Sequence, residues 1–147
     1  MQEYTVNVDE DGTQRWYQNG LLHRLDGPAY IYANGSQFWY QNGLLHRLGG
    51  PAVIHANGTK YWYQNGRRHR VDGPALICGN SSQCWYQNDR LHRVDGPAVI
   101  HADGSQCWYL EGVEVTQEQH EIRTRPAKEL TVAEIEALLG YAVRVVK

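Results

Sequence analysis

The stretch Ser36-Gln37-Phe38-Trp39-Tyr40-Gln41-Asn42-Gly43-Leu44-Leu45-His46-Arg47-Leu48-Gly49-Gly50-Pro51-Ala52-Val53-Ile54-His55-Ala56-Asn57-Gly58 is followed at once by a near copy of itself. The five tryptophans of the chain, Trp16, Trp39, Trp62, Trp85 and Trp108, all fall at one position of this unit, so the period is 23 residues without insertion or deletion. A fixed period of this length marks a repeat architecture, in which each unit buries its apolar face against its neighbours. Within the unit, residues 36–41 and 52–56 are rich in aromatic and β-branched side chains and end in Asn42-Gly43 and Asn57-Gly58. Such runs read as strands, and Asn-Gly supplies the positive φ of tight hairpin turns. Two strands per unit predict an antiparallel meander of roughly ten short strands, twisted or coiled as a sheet of that width must be.

Working outward, residues 1–12 read as the second half of an incomplete unit, with Val6-Asn7-Val8 one period before Ala29-Tyr30-Ile31. After Gly112 the register is lost. Thr116 with Gln119, and Thr131 with Glu134, form capping boxes that predict helices over 117–123 and from 132, the second closed by Gly140. Residues 141–146 read as a strand. The chain thus divides into a repeat array, 1–115, and a small α+β cap, 116–147, that covers the last strand edge. The fold class is mainly β.

Strand alternation sets Trp39 on one face and Phe38 with Tyr40 on the other. The tryptophan column is expected to be a buried spine. Cys78, Cys84 and Cys107 replace Tyr, His or Phe of other units and read as packing or surface substitutes, not as metal or disulfide partners. The net charge of -2 gives no general pull toward nucleic acid, and the chain has no apolar run long enough to span a membrane. A cytoplasmic location is expected, since the N-terminus lacks the basic and apolar regions of a signal peptide.

Two polar columns invite chemistry. His23, His46, His69 and His92 recur with Arg24, Arg47, Arg70 and Arg93, and Asp26, Asp72 and Asp95 complete three of the four loops. Equivalent residues on strands two apart lie about 9.5 Å from each other, too far for one zinc to be shared, and a constellation present four times lacks the singularity of a catalytic site. The Arg–Asp pairs read as charge-balancing elements, and the second loop, where Gly49 stands in place of the acid, should leave Arg47 less neutralised. The third unit carries the densest cationic point, Arg67-Arg68-His69-Arg70, flanked by Arg47, Arg90 and Arg93. With the interleaved Tyr40, Tyr63 and Tyr86, these arginines are the candidate binding residues, for a partner or an anionic ligand. Neither a catalytic residue nor a cofactor or metal is expected.

The unit resembles MORN repeats through Trp39, the Asn42-Gly43 turn, His46 and the second Gly-ended strand at Asn57-Gly58, over roughly residues 5 to 112. It departs from them in having His46-Arg47 and Gly50-Pro51-Ala52 where a MORN unit tends to His-Gly-x-Gly. In this it looks like the W-Y-x-N-G-x-x-H-R-x-D-G-P-A repeats of phage and bacterial proteins, and the ending from Leu130 looks like a short tail module of phage proteins. The resemblance implies a scaffold for binding partners or lipids, with no catalytic residues to carry over. With the Tyr, Trp and Arg of the repeat face, the expected function is that of a non-enzymatic, phage-encoded protein in the host cytoplasm that grips, and inhibits, a host protein. The alternative, resting on the Arg67 to Arg70 region, is a binder of an anionic small molecule, such as a nucleotide signal or a phosphoinositide headgroup. Homodimerisation is also left open.

Overall fold

The computed structural model describes residues 3–126 and 129–144. These residues form eighteen short strands, all paired antiparallel, followed by two helices. The main sheet runs in chain order from Thr5–Val8 and Gln14–Gln18 through Tyr30–Ile31, Gln37–Phe38 and Val53–Ile54 to Gln106–Leu110 and Val113–Val115. The N-terminal half-unit pairs as its period predicts, with Val8 opposite Gln14 just as Ile31 lies opposite Gln37.

The unit holds four strand segments, not two. Gln37–Phe38 pairs with Val53–Ile54 in the main sheet, whereas Tyr40–Gln41 pairs with Leu44–Leu45 in a separate hairpin. Trp39 is the crossover between the ladders: its N–H donates to the Ala52 carbonyl at 2.8 Å, and its carbonyl accepts from the His46 N–H at 3.0 Å. The two Asn-Gly pairs of a unit also differ in geometry. At Asn42-Gly43 both residues have positive φ, 50° and 77°, the two-residue turn that suits the twist of a hairpin. At Asn57-Gly58 only Gly58 does, and the Asn57 side chain accepts from the Thr59 N–H at 3.0 Å.

The tryptophans are half-buried, so the expected buried spine is corrected. The fully enclosed side chains are small: Ala29, Ala52, Ala75 and Ala98, each from a Gly-Pro-Ala, are 0 % exposed, and Thr13, Ser36 and Thr59 are buried beside them. Large rings with polar or cationic cover surround a thin centre where only a methyl or hydroxyl fits between closely approaching ladders.

Units are joined by repeated polar staples. The hydroxyls of Thr13, Ser36, Thr59 and Ser82 accept from the N–H groups of Ala33, Ala56, Gly79 and Ala102, at 3.0–3.2 Å. The Nδ1 atoms of His23, His46, His69 and His92 accept from the N–H groups of Asn42, Asn65, Asn88 and Glu111, at 3.0–3.2 Å. The histidine column therefore holds each hairpin turn onto the preceding unit.

In the cap, both capping boxes form. Helix α1, Gln117–Thr124, starts at Thr116 and packs against Gln106–Leu110, and its buried His120 places Nε2 2.7 Å from the Arg93 carbonyl. Helix α2, Val132–Leu139, starts at Thr131, ends at Gly140 in the left-handed region, and is tied to α1 by the Arg125–Glu134 pair at 2.6 Å. Its apolar face stays partly open, with Val132, Leu138 and Leu139 exposed. The strand expected over 141–146 is absent from residues 141–144, and its remainder lies outside the described residues. No helix among the described residues is long and apolar enough to cross a membrane.

Candidate functional site: the loop edge and its grooves

Each His-Arg-x-Asp-Gly-Pro-Ala segment makes a loop folded around its own arginine. In the third loop the Arg70 guanidinium lies over the Trp62 ring, 4.3 Å from the centroid, donates from Nε to Asp72 at 2.8 Å and from Nη1 to the Pro74 carbonyl at 3.2 Å. Gly73 leaves room behind it: a Cβ there would stand 2.9 Å from the guanidinium carbon and would displace the arginine. Arg24 on Trp16 and Arg93 on Trp85 repeat the arrangement, at 4.2 and 4.0 Å, with Asp26 and Asp95 as their acids. A guanidinium stacked on an indole face is attracted by the ring quadrupole. The arginine hydrogen bonds hold the carboxyls of Asp26, Asp72 and Asp95 below the ordinary aspartate value.

Between consecutive loops the sheet edge is grooved. Each groove has a tryptophan and a glutamine on its floor: Trp39 with Gln41, Trp62 with Gln64, and Trp85 with Gln87. The first and third measure about 470 and 460 Å³ and the middle one about 280 Å³. The residue between Arg and Asp stands out on the loop crests, with Leu25 53 %, Leu48 71 %, Val71 76 % and Val94 57 % exposed. Four apolar side chains at one repeat position thus form a ridge along the edge, alternating with the grooves.

The candidate residues read from the sequence divide between two surfaces. Arg47, Arg70 and Arg93 line the grooves. Tyr40, Tyr63 and Tyr86 belong to the side hairpins, opposite Leu45, Arg68 and Leu91, and are half-buried, which pushes their phenols up. Arg68 lies over Tyr86 at 4.1 Å and forms an ion pair with Asp89 at 2.8 Å. Burial works to raise the Asp89 carboxyl, but the hydrogen bonds from the Arg68 side chain and N–H outweigh it and hold that group low. Asp89 occupies the Gly position of the fourth hairpin turn with φ 65°, so Arg68 of the third unit's cationic cluster is neutralised by the turn of the next. Arg67 and Arg90 are exposed, paired with Gln64 and Gln87.

No family model matches the chain, and no curated protein matches it.

The ridge Leu25, Leu48, Val71 and Val94 escaped the sequence reading. Its signal was present: an apolar residue recurs beside Asp-Gly-Pro, in a loop with no strand alternation to bury it. No group of three His, Cys, Asp or Glu side chains converges into a metal-binding arrangement among the described residues.

Proposed function

We propose that the chain is a non-enzymatic binding protein that grips an extended segment of another protein along the loop edge. The observation that carries this reading is the ridge, four exposed apolar side chains at one repeat position, separated by tryptophan-floored grooves. Exposed apolar side chains arrayed on one edge and rimmed by polar groups are characteristic of interaction surfaces, and tryptophan and arginine are the residue types that dominate interface energetics. A fourfold periodic surface suits a long partner better than a compact ligand. Arg68 and Arg70 already hold Asp89 and Asp72, which weakens the case for a free anion at the third-unit cluster. The likeness to repeats of phage and bacterial proteins makes a host protein the proposed partner and inhibition the proposed consequence.

The test replaces Leu48 and Val71 together by Ser. Being exposed, the pair should leave stability within about 0.5 kcal/mol of the wild type. Quantitative capture from host-cell lysate should show a protein enriched on the wild type and lost from the variant. Equal recovery by both would refute the ridge, and loss only on replacing Tyr40, Tyr63 and Tyr86 would move the surface to the hairpin face.

A further inference from the structure

The four loops offer an internal comparison. In three of them a loop carboxylate, from Asp26, Asp72 or Asp95, sits 2.8 Å from the arginine Nε. In the second the acid is replaced by Gly49, yet the arginine has not moved. Arg47 still lies 4.0 Å from the Trp39 centroid, donates from Nη1 to the Pro51 carbonyl at 3.1 Å and packs against Gly50. Its Nε–H has no acceptor among the described residues. Stacking and the carbonyl bond are thus sufficient to fix the guanidinium, and the second loop presents a preorganised donor with its carboxylate missing.

The missing position opens into the middle groove, where Arg47, Gly49 and Gly50 face Trp62, His69 and Asp72. We propose that this groove receives one carboxylate from an acidic side chain of the partner segment, with Arg47 as its anchor. Three details favour a peptide carboxylate over a free phosphate. The vacant place has the size of the carboxylate that fills it in the sister loops. Asp72 on the facing wall, although tied to Arg70, disfavours a second negative charge. Leu48 and Val71, the two most exposed members of the ridge, flank the site and suit apolar neighbours of an acidic residue.

The test observes the arginine Nε–H signals of the ¹⁵N-labelled protein by NMR while adding a capped Leu-Glu-Leu tripeptide, its Gln counterpart, acetate or inorganic phosphate. Arg47 should shift saturably with the Glu peptide while Arg70 and Arg93 do not, and the Gln peptide should bind roughly tenfold more weakly for want of the charge-assisted bond. G49D should abolish the response by supplying an internal acid. Because Gly49 has φ 77° and the three aspartates do not share that backbone, this loop must first adopt the form of its sisters. Should G49D misfold, the wild-type comparison of Arg47 with Arg70 and Arg93 still decides. Equal shifts at all three arginines overturn the anchor, and phosphate binding as tightly as the Glu peptide overturns the assignment to a peptide. The anchor rests on the reading of the loop edge as a partner surface, but the two fail separately. A silent Arg47 in a protein whose capture depends on Leu48 and Val71 sinks the anchor alone, and a responsive Arg47 with capture indifferent to the ridge sinks the reading of the edge.

Discussion

Replacing Arg70 by Ala tests what holds the loops. The side chain contributes a stacked contact on Trp62, a hydrogen bond to the Pro74 carbonyl and an ion pair with Asp72, a residue whose side chain is 79 % exposed. A cation–π contact at a partly covered site contributes about 1 kcal/mol. A hydrogen bond from a charged donor contributes about 1.5–2 kcal/mol. An ion pair so open to water adds little. The sum predicts a loss of about 2–3 kcal/mol for Arg70→Ala, and no resolvable change in the urea midpoint for Asp72→Asn. The second loop supports the split, because Arg47 keeps its place over Trp39 with no acid beside it. Urea unfolding monitored by tryptophan fluorescence, with the slope checked for constancy, measures both. If Asp72→Asn costs as much as Arg70→Ala, the ion pair is what holds the loop, and the sufficiency of stacking and the carbonyl bond is refuted.

Three further outcomes are expected. Gly79→Ala places a Cβ 2.4 Å from the Asn57 carbonyl oxygen, a backbone atom, whereas Gly104→Ala meets nothing within 4 Å. The first should therefore cost several times the roughly 1 kcal/mol that positive φ imposes on the second, as read by thermal melts. Acid should destabilise the protein. The carboxyls of Asp26, Asp72, Asp89 and Asp95 lie below the ordinary aspartate value, so each takes its proton more readily in the unfolded chain; their stabilisation, small for each exposed group, is present above the ordinary aspartate range and is lost as pH falls through the folded values. Replacing Asp89 by Asn, which removes the acid that accepts from both the Arg68 N–H and its side chain, should make that limb shallower, and an unchanged limb would rule this group out. Ending the chain after residue 115 removes α1 from Gln106–Leu110, next to the edge strand Val113–Val115, so self-association is expected by light scattering. A truncated chain that stays monomeric would show that the cap does not protect that edge.

What the sequence disclosed was what local physics controls. The Asn19-Gly20, Asn42-Gly43 and Asn65-Gly66 turns and both capping boxes depend on residues within a few positions of one another, and these appear as read. The segment Leu44–Leu45 was missed because two residues cannot display an alternation, and the strand break at Trp39 because it reflects a change of partner between ladders. The half-burial of the tryptophans was illegible for a related reason. Arg47 reaches Trp39 only after the hairpin folds the chain back, and no alternation rule sets an arginine over a ring eight residues earlier. The alanine core was hidden in a Gly-Pro-Ala that looks like turn chemistry. At the candidate site, the gap at Gly49 was legible as a broken column, but the geometry that makes it a vacancy was not.

The staples described above all reach 19 or 20 residues ahead, from one unit into the next. A fixed offset governs each class, 20 residues for the hydroxyl bonds and 19 for the histidine bonds, so inserting or deleting a single residue between the partners would misalign both types together. Duplicating or losing a whole unit leaves every joint chemically the same. Length is therefore the freely variable quantity of this architecture, while the spacing of ridge and groove is fixed. An array of such units can be lengthened or shortened by changing copy number, and the individuality of this chain resides in the few positions where a copy departs from its neighbours, as at Gly49 and Asp89.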